Sequence, residues 1–332
     1  MNLEGRLVID LDAHPARIAS TRPAGRVGAL LRGRAPEEVP ALLSRLFALC
    51  GEAHGAAARM ALFGRIDAAR HRLVLAEAAR EHLLRILTGW RLPGAPPLPA
   101  PPVMALVETA RAGGDAGAAL AGYLRARVLG CAPGAFLALS DMEALARWLA
   151  EAGTAPAAWL AGVVERGQAG LGAVAPAFLP ELPPGALAQR LRDPGFAAAP
   201  HWDGPRETGP LARRHAHPLL AAVIEAHGAG LLARLLARLV ELAALPGEIA
   251  AAGAQAAAAP GLGVVETARG RLVHLCRLEA GRIADYAILA PTEWNFHPRG
   301  VAARALSGLA PEPARALIEA IDPCVDYELR AA

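Results

Sequence analysis

Apolar and polar positions alternate along residues 3–22, LEGRLVIDLDAHPARIASTR, on both sides of Asp-Ala-His-Pro, a pattern that predicts a β-hairpin. From about Pro36 to Trp90, and again from about Val103 to Leu245, the spacing changes to three and four, as in VPALLSRLFALC and EAAREHLLRILTGW. That period predicts amphipathic helices. PGAPPLPAPP, Pro93 to Pro102, reads as a stiff surface connection, neither helix nor central strand. The Ala-rich stretch around 250–259 fits a helix end or a loop equally. RLVHLCRLEAGRIADYAIL, Arg271 to Leu289, alternates again around Glu-Ala-Gly-Arg and predicts a second hairpin. Residues 301–321 predict one more helix, delivering Asp322, Pro323 and Cys324 to its end. The expected fold is α+β and mainly helical, one domain over 1–332. Its zones are an N-terminal β element (1–35), a helical body (36–250) and a C-terminal β-hairpin with a Asp-Pro-Cys tail (260–332).

Composition changes this picture only by exclusion. An apolar fraction of 54% in 332 residues fills a real core. The formal charge is +3, and all 34 cationic residues are Arg, scattered through apolar helices. No basic stripe forms, so a nucleic-acid surface is not expected. Arg or Glu interrupts each Leu/Val-rich run before about 18 residues, which argues against a membrane span. The opening MNLEGRLVID lacks a basic-then-apolar signal, and four dispersed cysteines, Cys50, Cys131, Cys276 and Cys324, are no disulfide framework. A cytoplasmic location is expected.

Candidate chemistry is sparse. The chain ends in DPCVDYELRAA, where a Cys followed by two residues invites a second Cys but meets Tyr327. In SRLFALCGEAHG, Cys50 and His54 are four apart, which on a helix places thiol and imidazole on one face, able to share a metal or a hydrogen bond. The bland alternative is a core thiol and a satisfied histidine. APTEWNFHPRG, Ala290 to Gly300, is a non-periodic stretch directly after a strand, the kind of segment that carries sites. Cys131 and Cys276 sit in apolar surroundings and read as core thiols.

Together these segments resemble one family, the large subunits of nickel–iron hydrogenases. LEGRLVIDLD looks like the family's first strand, with Glu4 on its acidic position. ALLRGRAPEEVPALLSRLFALCGEAHG is similar to the segment bearing the first cysteine pair, with Arg45, Cys50 and His54 in place and Phe47 where the first Cys would stand. REHLLRILTGW resembles a family helix, with His82 on one of its histidines, and HWDGPRETGPLARR resembles another family segment. VVETARGRLVHLCRLEAGRIADYAILAPTEWNFHPRG retains Glu266, Arg269, Gly270, Leu272, His274, Thr292, Trp294, Asn295 and Arg299. IDPCVDYELR is similar to the second cysteine pair, with Tyr327 in place of its second Cys. Arg330 stands where the family has a histidine followed by a cleaved peptide, so no cleavage is expected.

The resemblance implies a hydrogenase-large-subunit-like helical body and a damaged bimetallic site. In the family four thiolates hold nickel and two of them bridge to an iron carrying cyanide and carbon monoxide. Two thiolates cannot reproduce the nickel environment, and Phe47 offers no donor at all. Neither bound nickel nor hydrogenase activity is therefore expected. An iron that brings its own strong-field ligands asks less of the protein. Arg269 and Thr292 fall where the family places donors to the cyanides, and Leu272 where it lines the diatomic pocket. Cys50 matches a bridging sulfur and Cys324 a terminal nickel sulfur, so either Cys324 swings to the iron on a short C-terminal tail or Cys50 holds it with a weaker partner.

These departures resemble the HupK-type maturation proteins. The implied function is a scaffold that transiently holds an Fe(CN)2(CO) unit on Cys50 and Cys324, with Arg269, Thr292, Leu272, His54 and Glu4 around it. The implied partners are assembly factors of the HypC/HypD type and a nickel–iron hydrogenase large subunit. Competing readings are a metal-free mimic that recruits maturation factors, a redox enzyme in which Tyr327 or His54 completes a metal site, and a quinone-site relative, against which Cys50 and the Asp-Pro-Cys tail argue.

Overall fold

A computed structural model describes residues 5–22, 25–90 and 97–331. Glu4 lies outside the described residues. The chain divides into two compact units: Met1–Val74, Pro176–Gly209 and Gly253–Ala332 form the first, and Leu75–Ala175 with Pro210–Ala252 the second.

The first unit contains the strands β1 (Arg6–Asp10), β2 (Arg17–Ser20), β3 (Arg65–Ile66), β4 (Gln255–Ala256), β5 (Leu262–Thr267), β6 (Gly270–Glu279), β7 (Arg282–Leu289) and β8 (Asp326–Arg330). Both expected hairpins form. β1 pairs antiparallel with β2, Leu7 opposite Ser20, and β6 with β7 around Ala280 and Gly281, both in the left-handed region at φ 49° and 73°. β5 adds antiparallel to β6 to make a three-stranded sheet, and β3 pairs with β4. Alternation cannot reveal one pairing: β8 runs parallel to β1, with Leu7 opposite Tyr327. The segment that follows Cys324 is thus a sheet strand.

The segment bearing Cys50 is bent by its own residues. The helix Val39–Leu46 stops at Phe47 (φ −115°, ψ 66°), a 3-10 turn spans Ala48–Cys50, and the next helix runs Gly51–Phe63. A Cβ on Gly51 would lie 2.6 Å from the Ser44 carbonyl oxygen, so only glycine lets the two helices approach here. Ser44 Oγ secures the bend by donating to the Gly51 carbonyl at 2.8 Å. The second helix buries Ala53, Ala56, Ala57 and Met60 against Val265, Leu272 and Ala290. Alanines permit a very close approach to β5.

Four sequence expectations need correcting. The helical zone from Pro36 is interrupted at Phe47 and again at β3, because Gly64 caps a helix at φ 79°. Pro101 and Pro102 do not exclude helix; they open one, Pro101–Met104, where a missing N–H costs nothing. Residues 301–321 form two helices, Val301–Ala305 and Pro311–Ile321, divided by Gly308 at φ 74°. The stretch after β7 is not irregular at its start but a one-turn helix, Pro291–Asn295.

In the second unit the helix Leu231–Ala250 is buried along most of its length and carries Arg234, Arg238 and Glu241 inside. Glu241 accepts from Arg213 Nε at 2.9 Å and lies 3.0 Å from His82 Nε2. Burial alone would raise the Glu241 carboxyl; Arg213 and His82 outweigh it and hold the group far below the ordinary carboxylate range. His82 is thus bound into a buried network of helix pairing. Trp90 and Trp159 stack at 5.1 Å. Among the described residues no helix is long and apolar enough to cross a membrane.

Candidate metal-cargo site

Cys50 and Cys324 meet in one small cleft of the first unit, walled also by His54, Thr267, Arg269, Leu272, Ala290 and Pro291. Its free volume is about 10 Å³, room for one water. Each wall has a local cause. Cys50 is the residue before the helix Gly51–Phe63, with φ −137° and ψ 44°, and His54 is one turn further on. Arg269 occupies the turn between β5 and β6, its N–H donating to Thr267 Oγ1 at 3.2 Å and its carbonyl accepting from Asn295 Nδ2 at 3.1 Å. Asp322 terminates the helix Pro311–Ile321 in the left-handed region at φ 68°, which turns the chain sharply and sends Cys324 inward. The buried Asp322 carboxylate stands 3.4 Å from Arg269 Nε.

Cys324 is tightly held. Thr292 Oγ1 donates to its sulfur at 2.9 Å and accepts from its backbone N–H at 3.0 Å. Arg22 Nη2 donates to the same sulfur at 3.3 Å, while Arg22 Nη1 donates to Glu293 Oε1 at 2.9 Å. Burial works against the Arg22 charge, but the Glu293 carboxylate and the Cys324 sulfur more than compensate and raise its pKa above the ordinary value. The sequence expectation put Thr292 at the diatomic ligands; its hydroxyl is engaged with Cys324 itself.

A second constellation backs Cys50. His54 Nδ1 lies 3.0 Å from His274 Nε2, and His274 Nδ1 lies 2.8 Å from the Tyr286 hydroxyl oxygen. Burial lowers both imidazoles, His274 to about 3 and His54 well below the ordinary value, with His274 and Arg22 adding to the effect on His54. Phe47 fills space beside this chain, its ring stacked on His54 at 3.9 Å and 12°. Phe47 thus lies flat against the imidazole and fixes its plane.

Beside the cleft lies a cavity of about 920 Å³, lined largely by apolar side chains such as Leu7, Ile18, Leu62 and Ile288. Arg22, Thr292 and Glu293 form part of its wall, and His54 and Ala290 border both spaces.

Of the expected residues, Cys50, Cys324, His54, Arg269 and Leu272 come together in one cleft, and Thr292 joins through Cys324. Tyr327 sits in β8. Cys276 is buried and its thiol is pushed up to about 11 by burial and then Asp285; Cys131 is only half-buried, not the core thiol expected. None of the four cysteines is in a disulfide. Among the described residues no group of three or more His, Cys, Asp and Glu side chains is arranged to hold a metal ion. Sequence reasoning missed Arg22, Glu293 and Tyr286. Glu293 carried a signal, a carboxylate inside the PTEWN segment; Arg22 carried none among 34 arginines.

Comparison with known proteins follows the same line. The chain superimposes on the nickel–iron–selenium hydrogenase of Desulfovibrio vulgaris Hildenborough with a TM-score of 0.57 at 17% identity, over 93% of this chain and 92% of that one. That likeness defines a hydrogenase large-subunit fold. Residues 207–307 match the nickel-dependent hydrogenase family. The hydrogenase expression/formation protein HoxV of Cupriavidus necator is 36% identical, covering 99% of this chain and 96% of its own. HupK of Azotobacter vinelandii, also a hydrogenase expression/formation protein, is 34% identical over 93% of this chain and 92% of its own. The chain therefore belongs to the nickel-dependent hydrogenase family, within its HupK/HoxV branch.

Proposed function

We propose that the chain serves hydrogenase maturation as a non-catalytic scaffold, holding an Fe(CN)2(CO) unit as cargo between Cys50 and Cys324 before it passes to a nickel–iron hydrogenase large subunit. The observation that carries this reading is the convergence of two sulfurs and the buried Arg269 guanidinium on one cleft. Two thiolates are a poor set for a bare divalent ion, but they suffice for an iron whose remaining positions are filled by diatomic ligands. Arg269 suits the anionic cyanide nitrogens, and the apolar Leu272 suits the carbonyl. The cleft is smaller than such a unit, so loading widens it toward the 920 Å³ cavity, with which it shares His54 and Ala290. Thr292 and Arg22 steady the Cys324 sulfur while cargo is absent.

Phe47 and Tyr327 support a non-catalytic role, since neither supplies the sulfur that nickel requires. Delivery fits assembly factors of the HypC/HypD type, and two-point attachment favours release. The test is an infrared spectrum with iron assay on protein purified without air from cells making hydrogenase. Cyanide and carbonyl stretches in the wild type, lost in Cys50→Ser and Cys324→Ser, are expected. Their absence, with maturation intact in Cys50→Ser, would overturn the cargo reading in favour of a metal-free mimic.

A further inference from the structure

The His54–His274–Tyr286 chain fixes where its protons sit. All three groups are inside the fold, with His274 0%, His54 2% and Tyr286 6% exposed. Burial keeps the imidazoles neutral and the Tyr286 phenol protonated. A neutral imidazole carries a single N–H, on one nitrogen or the other, so the two contacts constrain each other. Among the described residues the hydroxyl's partner is His274 Nδ1 alone, at 2.8 Å. Were that nitrogen protonated, it would donate to the phenol oxygen and leave the phenol O–H without a protein acceptor among the described residues. The O–H therefore donates to His274 Nδ1. His274 then carries its proton on Nε2 and donates it to His54 Nδ1 at 3.0 Å. By the same rule His54 carries its own proton on Nε2.

We infer that Tyr286 and His274 are positioning residues that set His54 as an N–H donor toward the cleft and cavity it lines, where it meets an anionic acceptor of the cyanide-nitrogen or thiolate class. With Nδ1 turned to His274, Nε2 is the nitrogen left for an occupant. Phe47, stacked at 12°, holds the ring plane so that this donor keeps one direction. The inference rests on the cargo reading for its acceptor, but not for the tautomer itself.

The experiment is nitrogen-15 magnetic resonance of the full-length protein labelled in histidine, near neutral pH and without iron. His54 is expected to show an unprotonated Nδ1 and a protonated Nε2. The bias between tautomers is about 5- to 150-fold, the population equivalent of one buried hydroxyl left unanswered. In Tyr286→Phe, which keeps the ring and removes the O–H, that bias collapses and His54 populates both forms. A wild-type His54 protonated on Nδ1 overturns the inference, as does a Tyr286→Phe spectrum with the bias intact. The wild-type spectrum decides even if the variant fails to fold. Because iron is absent from this measurement, its failure is distinct from failure of the infrared test.

Discussion

Acidification from pH 7 to pH 5 is expected to destabilise the first unit through His274. In the unfolded chain this imidazole takes up a proton near pH 6.5; in the fold, burial lowers its pKa to about 3. Its contribution is complete above pH 6.5, falls as the pH drops from 6.5 to 3, and is flat below. Over the two units from 7 to 5 the integrated loss is about 2 kcal/mol. His54 acts with the same sign, since its pKa is lowered too. The carboxylate Glu241 does not confuse the window, because its loss begins only below its ordinary pKa of 4.5. The assay is urea unfolding followed by tryptophan fluorescence at both pH values, with His274→Gln as the non-titrating control. Wild type should lose stability at pH 5, and His274→Gln should lose about 2 kcal/mol less than wild type does. Equal stability at pH 7 and 5, or an undiminished acid loss in His274→Gln, would refute the account of a neutral buried imidazole.

Three further substitutions probe the frame around the site. Thr292→Val removes the hydroxyl that accepts from the Cys324 N–H and donates to its sulfur, and should cost about 1–3 kcal/mol while speeding iodoacetamide labelling of Cys324, read by mass spectrometry. Glu293→Ala leaves the half-buried Arg22 charge without its carboxylate and should cost about 1–3 kcal/mol in urea unfolding; Arg22→Met with Glu293→Met together should cost less. Gly263→Ala drives a Cβ into the Ala57 carbonyl oxygen, so the helix carrying His54 must back away from β5, lowering stability by about 1–3 kcal/mol in thermal unfolding.

Local period was the legible part of this fold. Both hairpins could be read because alternation changes sides at a turn, and the approach of Cys50 and Cys324 could be read only through the resemblance of their separate segments. Two kinds of information were hidden. Interruptions such as Phe47 and Gly308 lie inside apolar periodicity that continues across them, so the pattern runs on where the backbone does not. Long-range polar partners were hidden more deeply: Arg22 and Glu293 are 271 positions apart, and no spacing rule connects the end of a hairpin with a one-turn helix. His274 shows the middle case. Its position in an alternating strand fixed its face, but its neutrality follows from what covers it.

The parallel pairing of β1 with β8 has a consequence in time. During synthesis β1 emerges with its hairpin neighbour β2, and its other edge waits until Asp326–Arg330, far along the sequence, has also emerged. Cys324 lies just before that late strand, so a nascent chain possesses Cys50 long before it possesses a second sulfur opposite. The cleft that both cysteines line is therefore completed only after Cys324 and the strand behind it have been made.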